Sequence, residues 1–194
     1  MGAEHAALAE DVMAAIDAGL CVLPAKYDGS KAPAVITWTQ YQSRLPSWDQ
    51  TGRWFANPRI TGYGAVAGPI SGDLEMIEAE DLVSLDRFRQ ALTAAGEADI
   101  LHRLDTGYLE QTPGGGVHWL YRCTPAARSH VLARRPKRPE EMKDADDKRK
   151  VLVETRGAGG YTVLARSFGA THKTADPPDP GPRPAVCRAH RRRP

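Results

Sequence analysis

Glu78 and Glu80 stand two residues apart at the end of the stretch Ser71-Gly-Asp-Leu-Glu-Met-Ile-Glu-Ala-Glu80. The stretch opens on a Ser-Gly turn signal and continues as a short apolar run, so it reads as a mostly buried strand. Residues two apart in a strand share a face, which aims both carboxylates the same way. Like charges so close raise each other's pKa unless a cation sits between them. A divalent metal ion is the usual remedy. Two solvated glutamates at a strand end are the plain alternative, and the rest of the chain must supply the partners that decide between them.

Three features could converge on that pair. In Thr112-Pro-Gly-Gly-Gly-Val-His118, the turn containing Gly115 and Gly116 could place backbone N–H groups around an anion such as a triphosphate, because no side chain blocks close approach. His118 begins the returning strand, within reach of a phosphate or a metal. Glu154 closes the apolar strand Val151–Val153, and Arg156 shares its face if the strand persists, where it could oppose phosphate charge. Each feature has a plain reading too: a hairpin with a surface histidine, an exposed strand end, an ordinary ion pair. Together they form the set that nucleotidyl transfer needs. One metal ion activates an attacking 3′-hydroxyl while a second steadies the leaving pyrophosphate. Magnesium suits such oxygen ligands, and manganese also fits.

The elements that must position these residues follow from periodicity. Leu8, Val12 and Ile16 recur every four residues, which predicts an amphipathic helix over 3–18 ended by Gly19. Leu20 to Pro24 reads as a buried strand and Lys26 to Pro33 as a loop. Ser47 is placed to cap a helix running to Phe55, with Trp48 or Trp54 facing the core. Tyr63 to Ala67 predicts a strand paired as a hairpin with the Glu78 strand through Gly68–Gly72. Residues 81–95 predict a helix with Leu82, Leu85, Phe88 and Leu92 on one stripe, stopped by Gly96. Thr106 to Gln111 and Val117 to Arg122 predict strands on either side of the glycine turn. Residues 124–150 read as a long polar connection with one short helix near Pro139 to Met142, and Tyr161 to Leu164 as a final strand.

Length and composition bound the rest. At 194 residues, with 41% hydrophobic and 26% charged residues, the chain is an ordinary globular domain with a core of its own. Its formal charge of +2 is uneven: five arginines stand against two aspartates between Asp176 and Pro194. Binding to nucleic acid must then rely on local patches, and Arg134–Arg138 is a candidate for tracking a template backbone. Three cysteines without a C-x-x-C pair argue against a disulfide framework and a structural zinc; Cys21 and Cys123 read as core residues. No signal peptide or membrane-spanning run is visible, which points to a cytoplasmic protein without a membrane partner. The expected division is a catalytic domain over 1–172 and a disordered Pro/Arg-rich tail over 173–194.

Taken in order, the motifs resemble the bifunctional DNA primase/polymerase N-terminal (prim-pol) domain of the archaeo-eukaryotic primase superfamily. Glu78-Ala-Glu80 matches the family's first motif, two acids two apart on a strand; Gly116-Val-His118 matches the second; Val153-Glu154, before Arg156-Gly-Ala-Gly-Gly-Tyr161, matches the third. Lys31-Ala-Pro33 with Trp38 is similar to the family's early loop. The family usually carries aspartates in the first motif, and glutamates here lengthen the reach by a methylene. The resemblance implies an α+β fold: an RRM-like sheet bearing the acids Glu78, Glu80 and Glu154 as metal-binding catalytic residues, joined to a small α/β nucleotide-binding unit. His118 would contact the incoming nucleotide beside Gly115, Gly116 and Arg156. The implied activity is template-directed primer synthesis and extension with Mg2+ or Mn2+. A DNA template and NTP or dNTP would be the partners, together with a separate replicative helicase. Relatives continue into a helical region or helicase that the Pro/Arg-rich segment does not resemble, so activity could be impaired by truncation. A non-catalytic remnant that binds nucleotide or single-stranded DNA is the alternative, and a metal-dependent nuclease a third reading.

Overall fold

The computed structural model describes residues 2–168; the expected tail and Cys187 lie outside the described residues. The first helix, α1 (Ala3–Asp17), buries Leu8, Val12 and Ala15 at helical spacing and ends at Gly19, whose φ of 81° leaves the right-handed region. Strand β1 (Cys21–Pro24) follows. The second helix, α2 (Trp48–Phe55), starts on a reciprocal cap: Ser47 Oγ accepts from the Gln50 amide at 3.2 Å and Gln50 Oε1 accepts from the Ser47 amide at 2.9 Å. Of its tryptophans, Trp54 packs edge-on against buried Tyr41 while Trp48 is exposed.

Strand β2 (Tyr63–Val66) does not form a hairpin with β3 (Leu74–Ala79). The two belong to different sheets, joined by a single bridge between Gly68 and Leu74. Each is central in its own sheet, so neither has a free edge to offer the other. Between them Gly68, Gly72 and Asp73 all take positive φ around a 3-10 turn, Pro69–Ser71, and this carries the chain from one sheet to the next.

Helix α3 (Leu82–Ala94) is capped by Asp81, whose carboxylate accepts from the Ser84 amide at 2.7 Å; it buries Leu85 and leaves Leu82 exposed, so the expected apolar stripe is narrower at its start. A further helix, α4 (Ala98–Asp105), is not among the expected elements; it is eight residues long and buries Leu104 alone. Strands β4 (Tyr108–Gln111) and β5 (Val117–Arg122) flank the glycine turn as expected.

The polar stretch 124–150 is not one long connection. It contains β6 (His130–Pro136), which pairs with β7 (Arg149–Arg156), and a 3-10 turn at Pro139–Glu141. As an edge strand with two bulges, β6 has little apolar face to bury and carries Arg134, Arg135 and Pro136. Cys123 is exposed rather than in the core, unlike Cys21. The described chain ends beyond β8 (Tyr161–Val163).

Two antiparallel sheets result, β1-β2-β8 and β4-β5-β3-β7-β6. The small sheet is covered on both faces. Val22, Tyr63 and Ala65 pack with α1, while Cys21, Leu23 and Val66 pack with Tyr41, which is why its strands read as continuous apolar runs. The large sheet turns Ile77, Ala79, Val117, Trp119 and Val153 toward Leu85 and Leu104 of α3 and α4. On its opposite face, Leu74 and Leu120 join the core of the small sheet, and Met76 Sδ accepts from Thr162 Oγ1. Further along the same face of β3, Glu78 lies at the floor of a cleft between the sheets. Among the described residues, no helix is long and apolar enough to cross a membrane.

Ser71 fixes the passage between the sheets. Fully buried, its hydroxyl donates to the Val66 carbonyl at 2.6 Å and accepts from the Cys21 amide at 2.9 Å. Arg122 clamps the same turn from β5 by donating to the carbonyls of Ser71, Gly72 and Ala18. Replacing Ser71 by Ala strands two buried backbone groups, each costing about 1–3 kcal/mol. Urea unfolding of Ser71→Ala is therefore expected to show a clearly lowered midpoint, and an unchanged midpoint would refute the role given to this hydroxyl.

Candidate active site

The pairing of the large sheet sets four side chains in one row across it. Glu154 of β7 stands opposite Glu78 of β3, Glu78 opposite His118 of β5, and His118 opposite Glu110 of β4. Directly opposed residues hold their Cβ atoms about 5 Å apart, so the row is a strip of three carboxylates interrupted by one imidazole. Cations supply what the acids lack. Arg156 reaches Glu154 at 2.5 Å and Glu78 at 3.7 Å, and His118 Nε2 faces Glu78 at 3.7 Å. Glu80, just past the end of β3, donates its amide to the Leu152 carbonyl, and its carboxylate lies 3.6 Å from Lys150.

The electrostatics differ along the row. The facing His118 holds the Glu78 carboxyl down to about 2, against the pull of burial and with help from Arg156 and Lys31. Burial pulls the His118 imidazole down, yet its bonds and proximity to Glu110 and Glu78 outweigh that and raise it to about 9. Burial pushes Glu154 up; Arg156 offsets part of this, and the like charges of Glu78 and Glu80 add to it. Glu154 is thus an acid whose charge burial disfavours despite the adjacent Arg156.

Two hollows adjoin the row. A cleft of about 870 Å3 between the sheets is lined by Glu78, His118, Arg156, Lys31, Thr112 and Tyr161 among others; its size lies in the range of small-molecule sites. A hollow of about 150 Å3 is lined by Glu78, Glu80, Glu154 and Arg156 with Val151 and Leu152. Glu78 and Arg156 line both. Lys31 enters the larger cleft from the early loop with φ at 59°, a backbone conformation seldom adopted outside glycine.

The glycine turn works differently from the expectation. Gly115 donates its amide to the Thr112 carbonyl at 2.9 Å and Gly116 donates to Thr112 Oγ1 at 3.1 Å, so both N–H groups are already bonded within the turn. Gly116 matters for another reason: a Cβ there would lie 2.4 Å from the Ala79 carbonyl oxygen and 2.8 Å from that of Glu80. Its bareness lets the turn press against the end of the Glu78 strand. The basic run is also less uniform than it reads, since Arg135 is held in a two-pronged pair by Glu141 and Lys137 is paired with Asp147.

Glu110 escaped the sequence reading. Its signal was present: a tight hairpin centred on Gly114 pairs residues equidistant from it, which puts 110 opposite 118. Lys150, which neutralises Glu80, was missed because it lies where the polar stretch gives way to β7.

Carboxylates interleaved with nitrogen cations, beside a cleft of nucleotide size, define a site suited to phosphoryl chemistry. The family model for the bifunctional DNA primase/polymerase N-terminal domain matches residues 12–185, and the chain belongs to this Prim-Pol family. A comparison with curated proteins gives no match. Membership carries a primase/polymerase-type function, nucleotidyl transfer on DNA, in a mixed α/β fold.

The family is typically dependent on divalent metal. Among the described residues, no three His, Cys, Asp or Glu side chains converge as a bound ion would require. Glu80 is drawn toward Lys150, and Glu154 toward Arg156. The donor chemistry nevertheless fits: three carboxylates border one small hollow, and burial disfavours the charge on Glu154, which an added cation would relieve.

In metal-free protein the His118 charge should govern stability in alkali. Its pKa is raised above the unfolded value of about 6.5, so the stabilisation is fully present below that pH and is lost as pH rises through about 9. With chelator present, the urea midpoint is expected to fall between pH 7 and 10. His118→Gln should flatten that fall; an equal fall in the variant would show that other groups carry it.

Proposed function

We propose that this domain joins nucleoside triphosphates to a 3′-hydroxyl on a DNA template, making and extending primers. The observation that carries the reading is the Glu154–Glu78–His118 row, set by strand register beside a nucleotide-sized cleft. In this reading the five-stranded sheet is the RRM-like half and the three-stranded sheet with α1 belongs to the smaller nucleotide-holding unit.

Glu78, Glu80 and Glu154 would hold magnesium or manganese, which supplies activation of the 3′-hydroxyl and neutralises charge on the departing pyrophosphate. The chain's own side chains do the positioning. Arg156, lining both hollows, turns from Glu154 and Glu78 toward the phosphates once the acids have another counter-charge. His118 presents Nε2 from the cleft wall as a donor to a phosphate oxygen. Lys31 closes on the same charge from the opposite unit, and the open side of the turn at Gly115, where an added Cβ would meet nothing within 4 Å, leaves room for the triphosphate beside the backbone. The small sheet, its apolar strands packed on both faces, keeps the other side of the cleft rigid.

Primer extension on a DNA template with Mg2+ or Mn2+ tests the assignment. Removing a metal ligand forfeits several kcal/mol of charge stabilisation, so Glu78→Gln combined with Glu154→Gln is expected to slow incorporation at least about 100-fold. Undiminished incorporation would refute the site. DNA or nucleotide binding without incorporation by the unaltered chain would mark a non-catalytic binder instead, and DNA cleavage a nuclease.

A further inference from the structure

Glu110 is a buried carboxylate that none of the three motifs includes. Its polar contacts reach its own strand, the neighbouring strand and the chain beyond the small sheet. Oε1 lies 2.6 Å from His118 Nδ1; Oε2 accepts from the Tyr108 hydroxyl at 2.6 Å and from the Ala165 amide at 2.9 Å. Tyr108 is on its own strand, whereas Ala165 follows β8 of the small sheet. One carboxylate therefore ties the His118 ring to the wall on the far side of the cleft.

That geometry settles which nitrogen of His118 does what. A carboxylate at hydrogen-bond distance requires a proton on Nδ1 and fixes the plane of the ring. Nε2 is then the nitrogen turned to the cleft and to Glu78. Without the tether, rotation of the imidazole about its bond to Cβ would be free to aim Nε2 elsewhere. We infer that Glu110 is a positioning residue: it orients His118 through Nδ1 so that Nε2 faces the nucleotide, and through Ala165 it couples that orientation to the position of the small sheet. The nucleotide part of this inference rests on the proposed function; the orienting part does not.

Glu110→Gln separates orientation from architecture. The amide oxygen can keep the Tyr108 and Ala165 bonds, while its NH2 faces Nδ1 and can no longer accept a proton from it. Proton NMR of the unaltered chain should show a low-field Nδ1–H resonance, assigned by its loss in His118→Ala. It should vanish in Glu110→Gln while far-UV circular dichroism shows the fold retained, the melt being lowered by loss of the buried Glu110–His118 ion pair. In primer extension with Mn2+, Glu110→Gln is expected to raise KM for the deoxynucleoside triphosphate about tenfold, as loss of an orienting partner does, with kcat little changed. The double variant with His118→Ala should be no worse than His118→Ala alone, because Glu110 acts through that ring. Absence of the resonance from the unaltered chain, or its persistence in Glu110→Gln, overturns the orienting role. A double variant that loses the product of both single effects, or an unchanged KM in Glu110→Gln, overturns the coupling to nucleotide. If the unaltered chain extends no primer, the proposed function fails, and the resonance still decides whether Glu110 orients His118.

Discussion

Everything around the cleft follows from placing acids side by side on one sheet face and keeping them ionised. Glu154, Glu78 and Glu110 occupy one transverse row, with Glu80 just beyond it. Carboxylates at this spacing repel, and partial burial makes the repulsion worse because water cannot screen it. The chain's answer is alternation: His118 between Glu110 and Glu78, Arg156 between Glu78 and Glu154, Lys150 beside Glu80. Alternation is a register property. A slip of one residue in β3 would send Glu78 toward α3 and turn Ile77 into the cleft, so the core and the site specify the same pairing. The core supports it, because Ile77, Ala79, Trp119 and Val153 pack under the helices in that register.

The second constraint is the division of labour between the sheets. A cleft needs walls that do not collapse into it, and two sheets sharing a core along part of their faces provide them. Leu74 and Leu120 belong to the core of the small sheet, while Glu78, two turns of the pleat further on, faces open space. The crossing at residues 67–73 makes this possible. Positive φ at Gly68, Gly72 and Asp73, with Ser71 and Arg122 holding the turn's polar groups, redirects the strand without exposing its backbone. The same place misleads a reading from sequence, because consecutive strands joined by a short glycine-containing turn usually pair.

What could be read from the sequence was the part governed by short periods. Strand alternation placed Glu78 and Glu80 on one face, helical spacing found α1 and α3, and Ser47 announced α2 through its cap. What could not be read depended on partners distant in the chain. The β6 strand pairs on one edge only and carries arginines and a proline, so its sequence gives no apolar alternation. Helix α4 shows a single buried side chain. Glu110 looked like any glutamate in Tyr-Leu-Glu-Gln until the hairpin register set it against His118. The glycine turn was correctly located, yet its value lies in contact with the Glu80 end of β3 rather than in free amides.

Arg156 is the side chain on which the two hollows depend, since it lines both and is the most exposed of the cations on the row proper. Counting Glu80 and Lys150, the face holds four carboxylates against His118, Arg156 and Lys150, an excess of one negative charge. In the proposed reading this near-balance suits a face that must accept both a divalent cation and a polyanion. Positive charge arriving in the small hollow removes the reason for Arg156 to stay on Glu154 and Glu78. A guanidinium released there needs to move only across the wall that Arg156 already forms to meet phosphate in the larger cleft. His118 is not free in the same way, because Glu110 holds its other nitrogen. On that reading the row contains one cation that moves and one that stays, and the difference lies in whether a buried carboxylate stands behind it.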